Sequence, residues 1–243
     1  TMTLARRDGL LILGAVGGLC LVSWVYLLRM AGMDMRTTSW SVDYAWMTFA
    51  MWLVMMAAMM IPSATPMMLI FAQVNRNRAR TATPVIPTGL FFGGYLLAWA
   101  AFSLAATGLQ WALHVSTLMS PASLRVGPLA GGVLFLLAGA YQWTPFKTAC
   151  LRRCASPLDF LLGEWRDGSA GALVMGIRYG GYCIGCCALL MALLFAAGVM
   201  NLVWVAALAG VVLVEKLLPP GRWANQVVGV VLLLVGAGML ISQ

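Results

Sequence analysis

The chain has 243 residues, of which 62% are hydrophobic and only 9% charged, with a formal net charge of +8. A soluble globular domain carries roughly 25% charged residues, so the composition excludes a water-soluble enzyme. With 17 Met, 6 Cys and one His, His114, the chain also excludes haem held by two His, di-iron centres and His-rich copper sites. Any reactive chemistry must rest mainly on sulfur.

A bilayer-crossing helix uses about 20 apolar residues. Apolar runs and their breaks predict an all-α, polytopic membrane bundle of about seven transmembrane helices, at about 9–28, 44–73, 88–117, 124–144, 169–199, 201–218 and 223–241. These form a single integral membrane domain over 1–243. Arg6 and Arg7 precede the first run as in a secretory signal, but the run is long and no small-x-small cleavage pattern precedes Arg29, so it reads as a retained span.

Lys and Arg accumulate in cytoplasmic loops. Alternation over seven spans puts Arg6, Arg7, Arg76, Arg78, Arg80, Lys147, Arg152, Arg153, Arg166, Lys216 and Arg222 on one side, and Arg29, Arg36 and Arg125 on the other. That split predicts a cytoplasmic N-terminus. It also makes the positive charge a topology signal, with membrane lipid and not nucleic acid as the partner. Gly127 with Gly131, and Gly176 with Gly180, have the four-residue spacing that lets membrane helices approach closely.

In the second span Met47, Met51, Met55 and Met59 recur every four residues, with Met56 and Met60 beside them. They form a ladder along one helix face. Thioether sulfur is a soft, uncharged ligand that suits Cu(I); the ordinary alternative is that Met fills apolar gaps. Pro62 and Pro66 follow, and each removes a helical hydrogen bond. The carbonyls of Ala58 and Pro62 then need partners, for which Ser63 and Thr65 are the ordinary candidates.

Beyond the third span, whose outer end carries His114, the fourth span leads to Cys150 and Cys154 in KTACLRRCASP. This pair is expected at the cytoplasmic end, far from mid-depth, as a metal-receiving or reactive dithiol whose pKa values Lys147, Arg152 and Arg153 lower. In the same loop Asp159, Glu164 and Asp167 are expected to pair with Arg152, Arg153 and Arg166. The fifth span holds GGYCIGCCALLM, where Cys183, Cys186 and Cys187 share one side of a helix and Met175, Tyr179 and Met191 extend the stripe. Both sulfur clusters fall near the middle of their spans. A thiolate there is costly unless compensated, and bound Cu(I) would compensate it. Arg178 is expected to snorkel or pair, and Glu215 with Lys216 to pair with each other or with headgroups. On the opposite side from Cys150 lies a short Met33, Asp34, Met35 element, and Cys20 reads as a packing residue.

The segments AMMIPSATPMM (58–68), YQWTPFKTACLRRCASP (141–157), GGYCIGCCALLM (180–191) and GVMNLVWVAALAGVVLVEKLLPPG (198–221) resemble those of the predicted metal-binding integral membrane proteins, a family of unknown function sometimes labelled copper chaperone. The resemblance covers about Tyr44 to Gly221. It implies a multi-pass protein of the bacterial inner membrane that binds metal. Residue by residue it points to Met59, Met60, Cys150, Cys154, Cys183, Cys186, Cys187, Met191 and Met200, and members usually carry an aromatic residue where this chain has Ala188.

The expected function is Cu(I) handling, with copper passed across the membrane or held for a metalloenzyme or a periplasmic copper-binding partner. Met51, Met55, Met59 and Met60 would be transient ligands; Cys183, Cys186 and Cys187, with Met191, the tighter site; and Cys150 and Cys154 the receiving end. The sequence shows no phosphate loop and no intramembrane carboxylate set to couple energy, which favours passive transfer or chaperoning over pumping or catalysis. Two alternatives stay open: a thiol-disulfide redox protein exchanging electrons with quinone, and a non-catalytic assembly subunit of a membrane complex.

Overall fold

The computed structural model describes residues 2–31, 40–79, 85–120, 124–217 and 222–242. The Met33, Asp34, Met35 element lies outside them. Three long helices come first, α1 (Met2–Ala31), α2 (Val42–Ala79) and α3 (Val85–Val115). A two-residue antiparallel ladder pairs β1 (Met119–Ser120) with β2 (Arg125–Val126). Then come α4 (Pro128–Tyr141), α5 (Pro145–Ala155), α6 (Pro157–Glu164), α7 (Gly168–Ala197), α8 (Leu202–Leu217) and α9 (Arg222–Ile241).

Among the described residues five helices, not seven, are long and apolar enough to cross a membrane: α1, α2, α3, α7 and α9. The predicted spans 124–144 and 201–218 correspond to α4, of 14 residues, and α8, of 16. At 1.5 Å per residue these reach about 21 and 24 Å, short of a hydrocarbon core of about 30 Å. The fourth span is short because its helix runs only from Pro128 to Tyr141, and the chain then breaks at Thr144 and again at Ser156. Each precedes a proline, which disfavours helix in the residue before it and suits the first turn of a new helix. Thr144 caps α5 by accepting a hydrogen bond from the Lys147 amide at 3.2 Å.

The three short helices α4, α5 and α6 accompany α7 in the opposite direction. Near the start of α4, Gly131 faces Ala196, and the Arg125 Nε donates to the Ala196 carbonyl at 3.2 Å. At its end, Tyr141 donates to the Gly185 carbonyl. Tyr179 donates to the Cys154 carbonyl at 3.2 Å, and its ring lies 5.4 Å from that of Phe160. The Arg166 amide reaches the sulfur of Met175 at 3.4 Å. One crossing is thus broken into three pieces, and α5 lies beside the middle of α7.

In lipid, helices associate through close van der Waals packing, which small residues permit. A Cβ at Gly176 would lie 2.0 Å from the Phe91 carbonyl oxygen, and one at Gly94 2.2 Å from that of Leu173, so α3 and α7 touch backbone to backbone. Gly180 continues that seam against Ala98, as its spacing from Gly176 suggested. Gly127 has open space where a Cβ would stand, so the other predicted pair is not a seam; Gly132 and Gly139 of α4 instead approach Gly236 and Gly229 of α9. Gly198, at φ 100, ends α7 and turns the chain back into α8.

Two cations counted among the loop residues are inside the bundle. Lys147 of α5 is 0% exposed and its ammonium bonds Glu215 of α8 at 2.8 Å, with Gln142 as a further acceptor. Lys216 is also buried. Arg178 pairs with Glu164, which Arg153 approaches at 3.7 Å and to which Tyr182 donates at 3.0 Å. The Arg178 contact lowers the Glu164 carboxyl pKa.

Two stability tests follow from this packing. Gly176→Ala should destabilise the bundle by about 1–3 kcal/mol through overpacking, whereas Gly181→Ala, which meets nothing within 4 Å, should leave the thermal midpoint in detergent unchanged. Glu215→Gln should cost about 3–5 kcal/mol because it leaves Lys147 charged and unpaired. The double replacement Lys147→Met with Glu215→Leu should recover most of that loss in the same thermal measurement.

Candidate metal site

Cys183, at the middle of α7 and 0% exposed, is where four elements meet. The Lys216 Nζ of α8 donates to its sulfur at 2.9 Å and to Ser63 Oγ of α2 at 2.9 Å. The Tyr95 hydroxyl of α3 lies 3.3 Å from the same sulfur and 3.3 Å from the Met60 carbonyl, to which Ser63 also donates at 2.9 Å. From α5, buried Cys154 lies against α7, where its carbonyl accepts from the Tyr179 hydroxyl at 3.2 Å. Cys150, one turn earlier, packs its sulfur against Gly185; a Cβ there would be 2.7 Å away.

The three cysteines of α7 are buried together, but they do not form a ready cage. Cys186 and Cys187 donate their thiols to the Cys183 carbonyl at 3.1 and 2.8 Å, the local back-bonding that short polar side chains make one turn apart in a helix. Among the described residues no group of three or more His, Cys, Asp or Glu is set to hold a metal ion. All six cysteines are free.

Cys150 and Cys154 are not remote from the α7 cysteines, because the break at Thr144 carries α5 alongside mid-α7. The cations expected to act on them are engaged elsewhere: Lys147 is committed to Glu215, and Arg152 and Arg153 are exposed.

The methionines occupy the levels above this point. Trp52 of α2 lies 5.1 Å from Phe195 near the end of α7, whereas Ser63 stands level with Cys183 through their shared Lys216. Met51, Met55, Met59 and Met60, all buried, therefore descend from the end of α7 towards the cysteines over about 13 Å. Met60 joins the described contacts of the site through its carbonyl. Met191 is buried one turn beyond Cys187, and half-buried Met200 lies past the end of α7. The Ala58 carbonyl, which loses its helical donor at Pro62, is approached by the Cys20 thiol at 3.8 Å. Thr65 donates to Ile61 at 2.9 Å.

Lys216 and Tyr95 are absent from the residues that sequence reasoning selected. Tyr95 carries no distinguishing signal in an aromatic-rich span. Lys216 does: an ionisable residue closing an apolar helix is a functional candidate by default, and its neighbour Glu215 turns to a different partner.

Residues 49–239 match the model of the PpoB2 family, described as copper chaperone. The chain belongs to that family, and its membrane-length helices make it a multi-pass member with a copper-chaperone-type role. Neither the curated proteins nor the solved structures contain a match.

Proposed function

We propose that this protein carries Cu(I) as its cargo through a sulfur site shared by α5 and α7. The observation that carries the reading is the placement of α5 against the middle of α7, with Cys150 Sγ packed on Gly185 and the Cys154 carbonyl bonded by Tyr179, which brings buried cysteines from two separate chain segments together. Two thiols from different elements suit an ion that accepts low coordination and soft ligands. Met51, Met55, Met59 and Met60 offer uncharged thioethers along the way to that point, with Met191 beyond it. Cys186 and Cys187 keep their thiols on the Cys183 carbonyl, and Cys150 lies one turn away as the exchange partner of Cys154. The ion is delivered to a metalloenzyme or a periplasmic copper-binding protein, from a bacterial inner membrane with the N-terminus in the cytoplasm.

The packing of the α5 cysteines against those of α7 also supports a second reading, thiol-disulfide exchange with a membrane quinone as electron acceptor. Mass mapping separates the two: a stable disulfide between these residues in metal-free protein favours redox chemistry.

For the metal reading, Cys154→Ser and Cys183→Ser should each weaken Cu(I) binding by about tenfold or more, measured by competition with a chromogenic Cu(I) chelator on purified protein. Unchanged stoichiometry and affinity in both variants would remove the site.

A further inference from the structure

We propose that Lys216 makes this sulfur site selective for a monovalent soft cation over a divalent one. The inference rests on the copper-carrying reading and adds a determinant of which ion is accepted.

A buried ammonium is costly unless opposite charge is close. Lys216 is 6% exposed, and its hydrogen-bond partners are the neutral hydroxyl of Ser63 and the sulfur of Cys183, each at 2.9 Å. Glu215, the adjacent carboxylate, is committed to Lys147 at 2.8 Å on a different face of α8. The compensating charge must therefore come from sulfur. A monovalent ion held by the thiolates of Cys154 and Cys183 forms a singly negative complex, and the ammonium brings the buried set to neutrality; the Cys183 proton is the one carried by Lys216, and the Cys154 proton is released to solvent as the ion binds. A divalent ion on the same two thiolates forms a neutral complex and leaves the ammonium uncompensated in a low-dielectric interior. Balance would need a third thiolate, but Cys186 and Cys187 direct their thiols to the Cys183 carbonyl at 3.1 and 2.8 Å. Charge balance and the number of available sulfurs thus point to the same class of ion.

The test uses the purified full chain in detergent, under reducing conditions, with Ag(I) and Cd(II) as probes and equilibrium dialysis as the readout. Lys216→Met should lower the Ag(I)-to-Cd(II) preference by roughly 10- to 100-fold, while Lys216→Arg, which keeps the charge, should hold it near wild type. Should Lys216→Met not yield folded protein, Ser63→Cys places a third thiol beside the ammonium with little change in size, and should raise Cd(II) affinity relative to Ag(I) by about tenfold. Wild-type Ag(I) binding with a preference unmoved by Lys216→Met, or by Ser63→Cys where the first variant does not fold, overturns the selectivity and leaves the copper-carrying reading standing. Failure of the wild type to bind Ag(I) or Cu(I) overturns both.

Discussion

Charge enclosed in an apolar bundle needs opposite charge or hydrogen-bond partners inside it, and the last turn of α8 carries two such charges. Glu215 points to Lys147 and secures α5; Lys216 points to Cys183 and Ser63 and closes α7 onto α2. Two adjacent residues thereby join four helices around one sulfur. Lipid supplies no hydrophobic force to draw helices together, so these contacts carry a share of the organisation that apolar burial carries in water.

The position of α5 follows from the same arrangement. Had the fourth span run unbroken, Cys150 and Cys154 would stand at a membrane surface. Proline after Thr144 and after Ser156 divides the crossing instead, and the Lys147–Glu215 pair holds the middle piece beside Gly185 and Tyr179. Backbone breaks at membrane depth are tolerated where protein covers them. Here the covering element is α7, which brings the cysteines it faces.

The sulfur site is compact but held back. Cys186 and Cys187 spend their thiols on a backbone carbonyl, and Cys183 spends its sulfur on an ammonium and a phenol. On the proposed copper-carrying reading, a metal–sulfur bond at Cys183 replaces an interaction already present, which favours release of the ion. The methionines above the site differ in kind, since thioethers are uncharged and need no such compensation.

By itself the sequence determined the membrane class, the family resemblance, and the ladders of Met51 to Met60 and Cys183 to Cys187, because hydrophobic composition and helical spacing are local properties. The Gly176 and Gly180 seam was legible for the same reason. What only the tertiary structure decided was the number of membrane-length helices among the described residues, the packing of α5 and its cysteines against α7, and the partners of Glu215 and Lys216. The Thr144–Pro145 and Ser156–Pro157 breaks are written in the chain, but where the pieces between them settle is not. Depth depends on which helices pack on which, and a charge adjacent in sequence to its opposite can be turned, by a helical step of about 100°, towards a different neighbour altogether.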